Sequence, residues 1–164
     1  MIQRIQTIYY LLGSLSLAAS AWLDALVATN LQPSETMRVN AFEIIYKQQA
    51  PVVQNLSEKQ IPITVLVFFS ALMCFMAIFM YQNRKMQMRL GKTVATLCLG
   101  ILVAYSLLAF MASAQFMHGK PFANYGFTPQ LGFAFILLAF VFALLGNKAV
   151  KKDEDLVRSA DRIR

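Results

Sequence analysis

The stretch IPITVLVFFSALMCFMAIFMY, residues 61–81, decides the fold. It holds no Asp, Glu, Lys or Arg. A helix rising about 1.5 Å per residue needs roughly 20 such residues to cross a hydrocarbon core of about 30 Å. Outward from this segment, residues 5–23, 93–119 and 121–147 are equally free of charge. In hydrocarbon each backbone N–H and C=O must find its partner within the segment, so all four are expected to be helices. The spans fall at about residues 5–26, 61–81, 94–116 and 127–146.

Composition points the same way. Of 164 residues 58% are apolar and only 14% charged, against roughly a quarter charged in soluble domains. A soluble chain of this length has too little interior to hide that surface, and disorder is excluded by the same figures. The expected fold is an all-α membrane protein: four transmembrane helices in a bundle over residues 1–147. The first helix has some marks of a signal peptide, with Arg4 before an apolar run and Ala19-Ser20-Ala21 as a small-residue site. A single basic residue and an apolar run continuing through Trp22 to Leu26 favour a retained helix.

Basic residues set the orientation. Eleven of the fifteen lie on one side: Arg4, Arg84, Lys85, Arg89, Lys92, Lys148, Lys151, Lys152, Arg158, Arg162 and Arg164. Arg38, Lys47, Lys59 and Lys120 lie on the other. Both termini are therefore expected in the cytoplasm. The net charge of +7 follows from topology, and no nucleic-acid partner is needed to explain it.

Two segments project into water. In the extracytoplasmic loop, residues 29–60, Phe42, Ile44 and Tyr46 alternate with Glu43 and Ile45. That period of two predicts a short hairpin, with Val52 and Val53 pairing back. Residues 148–164 form a charged tail in which Leu156, Ala160 and Ile163 share one helical stripe. The tail is expected to extend helix four, lie on headgroups or dock on a partner. Four acids against six bases make lipid attraction weak, which favours a partner-facing or self-packing helix.

Chemistry inside the spans is sparse. Ser16, Ser20 and Asp24 follow each other at i,i+4, a polar stripe readable as an outward pocket or as packing through small residues. Thr96, Gly100 and Ala104 form a small-residue row, as do Ser106, Ala109 and Ser113, and Gly132, Ala139, Ala143 and Gly146. Tyr105, mid-span, calls for a hydroxyl partner. Cys74 and Cys98 are isolated and behave as small apolar residues. His118 is the single histidine, so a metal or haem site would lack partner ligands. No catalytic residue, metal or cofactor is expected.

Three elements carry a resemblance: MIQRIQT at residues 1–7, YQNRKMQMRL at 81–90 and KKDEDLVRSADRIR at 151–164. Together they resemble a family of four-pass bacterial membrane proteins known only as a domain of unknown function. The middle element is similar to that family's Tyr-x-Asn-Arg-x-x-Gln-x-Arg-Leu pattern. The resemblance implies a bacterial inner-membrane location and four passes, and it supplies no activity.

All three elements lie on the cytoplasmic side. Arg84, Arg89, Asp153, Glu154, Asp155, Arg158, Asp161 and Arg162 are accordingly the candidate partner-binding residues. The expected function is a non-enzymatic accessory subunit or assembly factor, with a membrane-protein partner or a second copy of the chain. The alternative is a carrier for a lipid, quinone or other apolar small molecule, using an outward pocket around Ser20, Trp22, Asp24, His118 and Tyr125. An enzyme comes third, with Asp24 and His118 the one available acid–base pair.

Overall fold

The computed structural model describes residues 5–30, 36–48, 54–116 and 125–161. In chain order these are helix α1 (Ile5–Trp22), strands β1 (Leu26–Asn30), β2 (Thr36–Val39), β3 (Glu43–Gln48) and β4 (Gln54–Lys59), helices α2 (Ile61–Phe79) and α3 (Arg84–Phe116), strand β5 (Tyr125–Pro129) and helix α4 (Leu131–Asp161). Among the described residues α2, α3 and α4 are long and apolar enough to cross a membrane.

The helices pack neighbour to neighbour. α1 lies against α2 and α4, and α3 lies against the same two. The interior includes many small and polar residues, while many large apolar ones face out. Ser14, Ser16, Ser20, Ser70, Gln6 and Gln87 are buried, whereas Leu11, Leu15, Phe69, Leu72, Val103, Leu107, Leu138 and Val141 are exposed. The buried serines do not need one another. Each returns its hydroxyl to a carbonyl three or four residues back: Ser14 to Leu11, Ser16 to Leu12, Ser20 to Leu17 and Ser70 to Leu66.

The chain is not all-α. Its five strands form one antiparallel sheet in the order β4-β3-β2-β1-β5, in place of the expected hairpin. Alternation sets its inner face: Leu26, Ala28, Met37, Val39, Ile44 and Tyr46 are buried. They also meet in register, as Leu26↔Val39, Ala28↔Met37, Met37↔Tyr46 and Val39↔Ile44. Of the expected alternation Ile44 and Tyr46 are buried on β3, whereas Phe42 precedes the strand and is exposed. On its other side β3 pairs with β4, and Val52 and Val53, expected to pair back, lie outside the described residues. Asn40 shapes the β2–β3 turn, its side-chain oxygen accepting the N–H groups of Phe42 (2.9 Å) and Glu43 (2.8 Å).

Strand β1 shortens the first helix. An apolar run through Trp22, Leu23 and Leu26 reads as one helix, but a short apolar segment does not distinguish helix from strand. The backbone here is claimed by the sheet and by α4. Ala25 N–H donates to Val39 O (2.8 Å), Gln130 N–H to Ala25 O (2.9 Å) and Gly132 N–H to Asp24 O (2.9 Å). Asp24 therefore sits in a turn, and the i,i+4 stripe of Ser16 and Ser20 does not continue to it on a helix. Strand β5 likewise takes the residues expected to open the fourth span.

At the opposite end the helices run past their expected limits. A 3-10 turn, Met80–Gln82, joins α2 to α3, so most of the anticipated inner loop is helical. α4 continues unbroken to Asp161, and the first described option for the tail, an extension of helix four, is the one adopted.

Candidate functional site

The end opposite the sheet carries the polar residues that the sequence singled out, and the local sequence explains how they are held. Asn83 precedes α3, and its side-chain oxygen accepts the Met86 N–H at 3.2 Å, an N-terminal cap. One turn on, Gln87 is fully buried and donates Nε2 to Ala77 O at 3.0 Å, satisfying a carbonyl in the last turn of α2. Between them Arg84 sends Nη1 to Asp153 O on α4, 3.2 Å away. Two residues of the YQNRKMQMRL element, Gln87 and Arg84, thus tie α3 to α2 and to α4, while Asn83 caps α3.

A second polar joint lies one layer further in. Tyr10 of α1 is completely buried, with its hydroxyl 3.0 Å from the Asn147 amide of α4. The amide's orientation is assigned from its neighbours. Turned to satisfy them, its nitrogen donates to Met88 O (3.2 Å) and to the Tyr10 oxygen (3.0 Å), and its oxygen accepts from Lys92 N (3.1 Å). Two glycines make the room. A Cβ on Gly91 would overlap the Asn147 amide and lie 2.5 Å from the Tyr10 hydroxyl. A Cβ on Gly146 would lie 2.9 Å from the Tyr10 ring. Cys74 adds a thiol hydrogen bond to Tyr10 O at 3.3 Å.

Shallow grooves surround these joints. One of about 530 Å³ is lined by Gln82, Asn83, Arg84, Lys85 and Glu154, bringing the α2–α3 turn and the α4 extension onto one surface. Another, of about 520 Å³, runs between α1 and α4 beside Gln6, Lys148 and Lys152. A third, of about 670 Å³, lies between α3 and α4 beside Lys92, Lys148 and Lys151.

Of the candidate partner-binding residues, Arg84, Asp153 and Glu154 are part-buried in this region, and Arg89 and Asp155 are exposed. Arg158 and Asp161 belong to α4, and Arg162 lies outside the described residues. The outward set is more dispersed. Ser20 is buried and donates to Leu17 O at 2.7 Å. Trp22 is 66% exposed and meets Phe42 and Phe68 edge-on, at centroid distances of 6.0 and 5.8 Å. Asp24 pairs with Arg38 at 3.5 Å. Tyr125 pairs with Asn30 across β1 and β5, and His118 lies outside the described residues. The groove at this end, about 570 Å³, includes Trp22, Phe42, Glu43 and Lys59 but neither Ser20 nor Asp24.

Sequence reasoning missed Tyr10, Gly91 and Asn147 as a connected set, and Gln6 and Gln87 as buried amides. The available signal was a set of polar side chains at the ends of apolar runs, with Gly146 beside Asn147. Two small-residue rows behave differently from each other. Gly132, Ala139, Ala143 and Gly146 are all buried, whereas Thr96 and Gly100 are exposed and a Cβ on Gly100 would meet nothing within 4 Å. Tyr105 is fully buried, and its hydroxyl finds no partner among the described residues. Among those residues no three His, Cys, Asp or Glu side chains are grouped to hold a metal ion.

Membrane-length apolar helices, a sheet over one end and polar interhelical joints at the other define the class of this protein. The chain belongs to the family described as Domain of unknown function (DUF4293), whose model matches residues 2–163. No curated protein matches the chain.

Proposed function

We propose that this chain is a four-pass protein of the bacterial inner membrane, a four-helix bundle with both termini in the cytoplasm. The three apolar helices support three of the passes. For α1 the support is its outer face, where Ile5, Ile8, Leu11, Leu12 and Leu15 are exposed. Such a row is stable against acyl chains and costly against water. Labelling of Lys85→Cys only from the cytoplasmic side, and of Lys47→Cys only from the opposite side, tests the orientation.

Within that membrane the protein acts as a non-enzymatic accessory subunit or assembly factor, and its cytoplasmic face engages a membrane-protein partner. The observation that carries this reading is the Arg84–Asp153 hydrogen bond, which holds the inner turn and the α4 extension as one preformed surface. A preformed polar surface lowers the ordering cost of binding. Deleting residues 148–164 would be a poor test, because Val150 belongs to the buried core. Charge reversal is cleaner: Arg158→Glu with Arg162→Glu should abolish a stoichiometric companion in mild-detergent purification. Unchanged co-purification would overturn the reading. The carrier reading ranks second, since among its described residues Trp22 lines a groove from which Ser20 and Asp24 are absent.

A further inference from the structure

A turn that faces water can leave its backbone groups to the solvent. The turn between β2 and β3 does not. Asn40 N–H donates to Glu43 O at 3.2 Å, and the Asn40 side-chain oxygen accepts the N–H groups of Phe42 and Glu43. Phe42 O accepts the Gln60 N–H at 2.7 Å, and Ala41 O accepts the Thr64 hydroxyl. The last two bonds fasten the turn to the start of α2. Backbone paired in this way suits a place where water is scarce, because an unpaired N–H or C=O is costly there.

The rings around the turn point to the same setting. Phe42 meets Trp22 and Phe68 at centroid distances of 6.0 and 6.2 Å, and Trp22 lies 5.8 Å from Phe68. All three stay exposed, and they continue the exposed apolar face of α2 at Ile61, Val65 and Phe69. Open rings are costly against water, whereas Trp favours the boundary between acyl chains and headgroups. Helix length fixes the level. The apolar stretch Ile61–Gln82 has 22 residues, about 33 Å at 1.5 Å each, against a hydrocarbon core of about 30 Å. α2 therefore crosses only if its first turn enters the acyl region. Phe68, two turns on, starts about 10 Å deeper, and its ring leans back toward the helix start. The rings of Trp22 and Phe42, within 6.2 Å of it, then lie at or just below the level of Ile61. Glu43 and Lys59, register partners on β3 and β4, stand at the rim of the same groove, where headgroups begin.

We propose that the β2–β3 turn is a membrane anchor. Phe42, with Trp22 beside it, inserts at the acyl–headgroup boundary of the leaflet on the sheet side. The sheet thus rests on the bilayer by this corner instead of standing clear of it. The partner is the lipid boundary itself, with no headgroup singled out. The anchor rests on the proposed membrane passage of α2, and it does not depend on which side of the membrane the sheet faces.

Trp22 is the single tryptophan of the chain, so its fluorescence reads the level without any substitution. The test places the full chain in phosphatidylcholine vesicles carrying a nitroxide on the acyl chain, near either its carbonyl or its methyl end. The carbonyl-end nitroxide should quench Trp22 more than the methyl-end one, and iodide on both sides of the membrane should scarcely quench it. Trp22→Phe with Phe42→Trp moves the probe onto the turn and should give the same order. Trp22→Phe with Leu72→Trp puts it near mid-helix on the exposed face of α2, where the methyl-end nitroxide should quench more. Iodide quenching of the Phe42→Trp protein with neither lipid nitroxide effective would overturn the anchor, as would a depth equal to that of the Leu72→Trp protein. A Leu72→Trp protein left unquenched by both lipid nitroxides would instead overturn the membrane passage of α2, so the two failures are distinguishable.

Discussion

The two ends of the molecule solve the same packing problem by different means. At the sheet end, α4 meets the α1–β1 turn backbone to backbone: Gly132 N–H donates to Asp24 O at 2.9 Å. A Cβ on Gly132 would lie 2.7 Å from Leu23 O and 2.8 Å from Asp24 O. At the other end α1, α3 and α4 meet through side chains, with the Tyr10 ring and the Asn147 amide filling the space left by Gly91 and Gly146. Backbone atoms held in the short connection between α1 and β1 have little room to step aside, whereas side-chain tips can rotate at the expense of their hydrogen bonds. The sheet end is thus the stiffer of the two, and the opposite end has more room to adjust.

Single methyl groups break this comparison most directly. Gly132→Ala should be the most damaging, about 3 kcal/mol or more, because the overlap is with two carbonyls and the Asp24 hydrogen bond is lost with it. Gly91→Ala displaces side-chain ends and should cost about 1–3 kcal/mol. Gly100→Ala is the control: with nothing near its Cβ it should stabilise α3 by up to about 1 kcal/mol through helix propensity. Thermal unfolding in one detergent ranks all three. A Gly132→Ala transition as high as that of Gly100→Ala would show that the sheet end yields as readily as the other.

Tyr10→Phe sharpens the account of the adjustable end. It removes one hydroxyl and keeps the ring between Gly91 and Gly146. Asn147 keeps Met88 O and Lys92 N, so no buried amide is orphaned. The expected loss is about 1 kcal/mol, read as a small fall in the same transition. A loss as large as that of Gly91→Ala would mean that the hydroxyl, rather than the close approach of three helices, holds this layer together.

Helices were the legible part of the fold, because absence of charge over 61–81 and its counterparts leaves few alternatives. The sheet was half legible. Ile44 and Tyr46 alternate visibly, but β1 pairs with β5 across most of the chain, and Leu26–Asn30 carries too little periodicity to separate it from the preceding helix. Of the candidate site, the YQNRKMQMRL and KKDEDLVRSADRIR elements were visible as patterned charge in a chain otherwise poor in it. Their first use is internal: Asn83 caps, Gln87 bridges to α2 and Arg84 reaches α4. The Tyr10–Asn147 joint was hidden because its partners lie on three helices, and spacing within one helix carries no information about what faces it.

The smallest expected effect belongs to the sheet and is one of pH. Tyr46 is buried on the inner face of β3, and that burial, with the Glu58 carboxylate of β4 adding to it, raises its hydroxyl above the ordinary value of 10.0. The folded protein therefore holds the proton more tightly than the unfolded chain. The resulting stabilisation is fully present below pH 10.0 and is lost as pH rises past that value through the higher folded-state value. Tyr46→Phe cannot ionise, so its stability should fall less between pH 9 and 11 than that of wild type, with the two profiles parallel at lower pH. Parallel profiles throughout would mean that Tyr46 meets water in both states, and that the inner face of the sheet is less closed than the packing of Met37, Val39 and Ile44 against the helices requires.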